Sequence, residues 1–147
     1  MENNRKFDIS SCYQLTPGSF NKLWSTVQCE RIRIMDVRHC YWISPDLLVQ
    51  AVESVTQLEQ LYSDDTRLTI AHLPAIWHKC PNITHLSINS VHESWHNFLE
   101  CARKSNFSLS QVENILQRGF GRLIELKLIV LSATYTDAWI LLLNLLK

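Results

Sequence analysis

One pattern constrains this chain more than any other: apolar-xx-apolar-x-apolar-xx-Cys. It reads Ile32, Met35, Val37, Cys40, then Leu58, Leu61, Ser63, Thr66, then Ile83, Leu86, Ile88, Val91, then Leu123, Leu126, Leu128, Leu131. A shortened copy opens the chain at Phe7, Ile9 and Cys12. Measured at the Cys position, the steps are 28, 26, 25 and 40 residues. A second likeness follows the first two cysteines. CYQLTPGSFNKLWSTV (12–27) lies over CYWISPDLLVQAVESV (40–55), pairing Phe20 with Leu48, Leu23 with Ala51 and Val27 with Val55. Self-similarity at such a period marks a chain built of stacked units.

Each copy makes physical sense by itself. The x-apolar-x-apolar-x core alternates, as a short strand with one buried face does. Thr16-Pro17 and Ser44-Pro45 supply a hydroxyl N-cap followed by proline at the first helical position. Apolar residues at spacings of three and four then give a helix one buried stripe. In the last copy Trp139, Leu142 and Leu146 follow Leu131 at the distances at which Phe20, Leu23 and Val27 follow Cys12. Neither the strand face nor the helix stripe can be buried alone, and stacking buries both. The expectation is an α/β solenoid of five strand-turn-helix units with parallel strands on its concave face. The 40-residue step needs an insertion. After a helix over about 94–104, an additional amphipathic helix is expected within 106–120, with a capping box at Ser110 and Glu113, a C-cap at Gly119, and Leu109, Val112, Ile115 and Leu116 on its apolar side.

The repeated LxxLxLxxC resembles the leucine-rich repeat. Cys12 and Cys40, with HKCPNITHLSI (78–88), its Cys80-Pro81-Asn82-Ile83 joint and Thr136-Asp137, are similar to the cysteine-containing subtype found in F-box/LRR proteins. That resemblance spans residues 4–147 at the level of the repeat. It implies the substrate-binding arc of a ubiquitin-ligase subunit, with a degradation client and ligase components as partners. Thr66, Val91 and Leu131 depart from the subtype's cysteine, and no segment resembles an F-box. The chain reads as a single domain over 1–147. It begins in a strand and stops at NLLK within an apolar helix, so its ends are expected to be covered by further repeats or a second subunit.

Other classes are disfavoured by composition. Fourteen basic residues balance fourteen acidic ones, which offers no electrostatic grip on nucleic acid or an anionic membrane. AWILLLNLLK is about half the length of a spanning helix. MENNRKFDISS lacks the apolar segment of a signal peptide, and the five cysteines show no CxxC spacing, so the expected home is the cytosol or nucleus with reduced thiols. HESWH (92–96) spells the zinc-peptidase motif HExxH, with His92 and His96 as ligands and Glu93 as base. A zincin holds both histidines on one face of a helix and adds a third ligand. Here the repeat frame puts His92 in a turn, just past the strand LSINSV. His72, His78, Cys80 and His85 match no common zinc spacing. Trp24, Trp77 and Trp139 fall on helix stripes and read as core. No metal and no cofactor are expected.

Function is therefore sought on the concave wall, where the x positions of each strand form three columns. The middle column runs Asp8, Asp36, Tyr62, Ser87, Lys127. One flank is Lys6, Ile34, Gln60, His85, Glu125, and the other is Ser10, Arg38, Asp64, Asn89, Ile129. The mixture of polar groups with a few aromatic and aliphatic anchors suits protein recognition, where an aromatic and an arginine often dominate the energy. The expected function is a non-enzymatic protein-interaction module. The alternatives are a zinc peptidase at HESWH and an architectural subunit of a larger complex.

Overall fold

The computed structural model describes residues 5–90 and 95–130. Five strands, β1 (Lys6–Asp8), β2 (Ile34–Asp36), β3 (Gln60–Tyr62), β4 (His85–Ser90) and β5 (Glu125–Val130), form one sheet in sequence order. Every neighbouring pair is parallel. The helices are α1 (Pro17–Trp24), α2 (Pro45–Glu53), α3 (Leu73–Lys79), α4 (Trp95–Lys104) and α5 (Leu109–Arg122). This is the expected α/β stack of strand-turn-helix units. The final copy's Leu131, Thr136, Asp137, Trp139, Leu142 and Leu146 lie outside the described residues, as do Val91, His92 and Glu93.

The register is the one that the repeat dictates. Phe7 pairs with Met35, Met35 with Leu61, Leu61 with Leu86 and Leu86 with Leu126. The inward positions make the core: Ile32, Met35, Val37, Cys40, Leu58, Leu61, Ile83, Leu86 and Ile88 are all buried. The third unit replaces an aliphatic residue and the cysteine with Ser63 and Thr66, also buried. Both hydroxyls are satisfied, Ser63 Oγ donating to Ser87 O (2.8 Å) and Thr66 Oγ1 to Ser63 O (2.8 Å). A buried hydroxyl without that bond would cost about 1–3 kcal/mol.

The strands end by a recurring device. Ser11, His39 and Asp65, which occupy one position in three successive units, have φ of 59°, 64° and 53°. A single left-handed residue turns the chain off the sheet toward its helix. Thr16 Oγ1 then accepts from Ser19 N–H, and Ser44 Oγ from Leu47 N–H, at the heads of α1 and α2. The third unit starts its helix differently. Thr69 heads a 3-10 turn at Ile70–His72, and Thr69 N–H donates to His72 Nδ1 (3.1 Å).

Three details depart from the expected helices. Helix α1 stops at Trp24, so Val27 falls outside it and Leu23 is 39% exposed. The aromatic ring of Trp24 takes the place expected for those aliphatics, stacking on Phe20 and meeting Phe7 edge-on at 4.9 Å. The inserted helix α5 is capped at Ser108 with Gln111 as its reciprocal partner, two residues before the expected box. Gly119 does not end α5. It lies inside the helix, which runs on to Arg122, and it packs against the Trp77 ring. That phase buries Val112, Leu116 and Phe120 and leaves Leu109 half exposed. Helix α5 packs on α3, while α4 packs on the Ile70–His72 turn.

Candidate functional site

The three columns lie side by side on the sheet. Lys6, Ile34, Gln60, His85 and Glu125 are successive register partners, and so are Asp8, Asp36, Tyr62, Ser87 and Lys127. The third column continues the ladder through main-chain bonds such as Ser11 N–H to Arg38 O and His39 N–H to Asp64 O. The side chains of Asn89 and Ile129 lie outside the described residues.

Side chains on this face are locked to one another. Asp36 Oδ1 accepts from Arg38 Nε (2.9 Å) and Oδ2 from Arg38 Nη2 (2.7 Å), a bidentate pair. The Arg38 guanidinium stands 5.7 Å from the centre of the Tyr62 ring. The Tyr62 hydroxyl in turn donates to Gln60 Oε1 (2.9 Å). Lys127 Nζ on β5 reaches over β4 to Asp64 Oδ2 after β3, at 2.8 Å. Asp8 pairs with Lys6 (2.8 Å) and accepts from Ser10 N–H and Oγ–H. The Lys6 ammonium and the Ser10 donors hold the Asp8 carboxyl down to about 2. Asp36 (1% exposed), Asp64 (4%) and Ser87 (3%) are buried. A partner would therefore meet Arg38, Lys127 and the tyrosine, and the buried Asp36 and Asp64 serve to place the two cations.

The residues singled out for other chemistry sit elsewhere and do other things. Cys80 Sγ donates to Val52 O and Val55 O, and burial pushes its thiol up to about 12. Burial likewise pushes Cys40 up to about 11, and its Sγ donates to Ile9 O of the neighbouring unit. His78 packs edge-on against Phe107. Among the described residues no three His, Cys, Asp or Glu side chains are grouped to hold a metal. His96 falls in the first turn of α4. Among the described residues no helix is long and apolar enough to cross a membrane.

Two hollows on the helix layer escaped the sequence reading. One, of about 360 Å³, lies between α2, the 3-10 turn and α4, lined by Asp46, Glu53, His72 and Lys104. Burial lowers the pKa of the His72 imidazole there. The second runs between α3 and α5 past Trp77, His78 and Arg118. Neither follows from strand periodicity, because each is made by helices from different units.

No protein-family model matches the sequence, and no curated protein matches it either. Solved structures do share the fold. The C-terminal domain of a Caenorhabditis elegans tropomodulin superimposes with a TM-score of 0.60 at 12% identity, over 99% of this chain and 83% of that one. A structure of leiomodin-1 actin-binding site 2 superimposes with a TM-score of 0.52 at 12% identity, over 99% and 82%. These neighbours overturn the expected likeness to F-box/LRR ubiquitin-ligase subunits, and with it the degradation client and ligase components as partners. The cysteine that carried the expectation has a local role: Cys40 Sγ donates to Ile9 O, and Thr66 Oγ1 at the matching position donates to Ser63 O.

Proposed function

We propose that this chain is a non-enzymatic protein-recognition module that uses the concave strand face, with actin as its partner. The observation that carries the reading is the central pair on that face. Arg38 is clamped by buried Asp36 and held near Tyr62, whose hydroxyl is tied to Gln60. An arginine and a tyrosine fixed in advance lose little conformational freedom on binding, which is what anchors of an interface require. Actin is the partner to examine because a domain of similar fold, in leiomodin-1, is an actin-binding site. Five cysteines without CxxC spacing favour a reducing compartment, cytosol or nucleus.

Purified protein mixed with actin monomers and with filaments provides the test, read by sedimentation and analytical ultracentrifugation. Tyr62→Ala and the surface change Glu125→Lys are each expected to weaken binding, the tyrosine variant by roughly tenfold or more. Actin binding unchanged in both variants would overturn the concave face as the contact. No binding to either form of actin would overturn actin as the partner.

A further inference from the structure

The hollow between α3 and α5 has a chemistry that the concave face does not share. Trp77 lines it, and the indole is 3% exposed with its Nε1–H buried and without an acceptor. An atom so enclosed is out of a ligand's reach, so the indole acts as a wall of the hollow and its N–H as a reporter of occupancy. Two guanidiniums border the same hollow, Arg118 and Arg122. Arg122 Nη1 donates to Pro81 O (2.6 Å), which leaves its other N–H groups available. Arg118 forms no ion pair among the described residues, and none of the residues lining the hollow is acidic. Asn114 adds an amide.

We propose that this hollow is a binding site for a small oxyanion, a phosphate or a carboxylate, held by Arg118 and Arg122 beside the Trp77 indole. The hollow, of about 170 Å³, has room for such a group. It lies toward the C-terminal half of α5 and the end of α3, where helix carbonyls carry roughly half a negative charge per helix end. Two full positive charges outweigh that. The hollow continues past Asn114 and Ile115 into a groove of about 380 Å³ that includes Phe107. The fitting ligand is thus an anion that carries an apolar substituent toward Phe107 and Ile115. Gly119 is part of the design, because a side chain there would overlap the indole that walls the hollow.

The test is a titration of 15N-labelled protein with inorganic phosphate, acetate and hexanoate, following the Trp77 indole N–H resonance, assigned through Trp77→Phe. Sodium chloride at equal ionic strength is the control. The expected result is a saturable shift with phosphate or acetate, weakened about tenfold in Arg118→Gln and in Arg122→Gln. The other four indole resonances report that each variant is folded. Phosphate and acetate identify which oxyanion geometry is preferred. Hexanoate should bind more tightly than acetate, with added shifts at Phe107 and Ile115. A response no larger than that to chloride, or one that both arginine variants retain in full, would overturn the site. Equal binding of hexanoate and acetate would overturn its apolar extension.

Discussion

Replacing Gly119 with alanine sets two effects against each other, and the structure decides between them. In an open helix interior the change stabilises by about 1 kcal/mol, because glycine is the poorer helix former. Gly119 is not open. A Cβ built there would overlap Cδ2, Cε3 and Cε2 of Trp77. The contact is with the fused ring and not with the tip of a flexible chain. Trp77 has little room to retreat, since it is 3% exposed and meets Phe120 edge-on at 4.9 Å and 77°. Overpacking of this kind costs typically about 1–3 kcal/mol, and a rigid ring belongs in the upper half of that range. The net expectation is a loss of about 1–2 kcal/mol.

Gly121 provides the internal control, as its Cβ would meet nothing within 4 Å. It stands one residue from the end of α5, so Gly121→Ala should stabilise by less than about 1 kcal/mol. The two variants should then differ by roughly 2 kcal/mol, or about 1 M in urea midpoint at a slope near 2 kcal/mol/M. Equilibrium unfolding followed by circular dichroism measures this. In a Trp77→Leu background the smaller side chain should remove the overlap, and Gly119→Ala should lose its penalty or become stabilising. A Gly119→Ala protein at least as stable as the parent would refute the packing argument.

Three further outcomes follow from single contacts. Lys127→Met removes the cation from buried Asp64, whose other oxygen already lacks a partner, and should cost about 1–3 kcal/mol in a denaturation midpoint, with Asp64→Asn recovering part of the loss in the double variant. Cys40 and Cys80, pushed up to about 11 and about 12, should resist iodoacetamide at neutral pH while Cys12 and Cys101 react, as read by peptide mass spectrometry. His72 is held neutral by burial, so the unfolded chain binds its proton more readily. Stability should be full above about pH 6.5 and fall as pH drops below it, and His72→Gln should flatten that limb in denaturation midpoints measured across the range.

The register and the membership of the columns were legible because two periodicities agree. Alternation fixes which side chains face inward, and the repeat fixes which strand residue lies beside which, so Met35, Leu61 and Leu86 could be aligned before any coordinates. The helix α5 was legible as an element, but its ends were not. Ser108-Leu-Ser-Gln and Ser110-Gln-Val-Glu both fit a capping box, and only packing against α3 chooses. Phe120 held the missing clue: it continues the spacing of Val112 and Leu116, and a helix ended at Gly119 would have stranded it. Burial of Asp36 and Asp64 was not legible at all, since it depends on how far Arg38 and Lys127 fold across the sheet. The oxyanion hollow was illegible too, being made by helices of two successive units whose packing the repeat does not fix.

The cysteine position shows why this motif speaks for a fold and not for a family. Just before it stands a left-handed residue, Ser11, His39 or Asp65, that pulls the chain out of the sheet. Ser11 and His39 still donate to the next strand, at Arg38 O and Asp64 O, and the following N–H turns back, Cys12 to Ile9 O and Thr66 to Ser63 O, where a side chain of the repeat adds a further donor. Cys40 gives one to Ile9 O of the preceding unit, and Thr66 gives one to Ser63 O of its own. Cys40 is wholly buried and Thr66 is nearly so. Cysteine and threonine are two ways to fill one enclosed position, and Val91 and Leu131 at the matching places in the sequence carry no donor at all. Any protein with that stacking has the same position to fill, whatever it binds. What distinguishes one such protein from another must then lie in residues the stack leaves unconstrained, which here are Arg38 and Tyr62 on one face and Arg118 and Arg122 on the other.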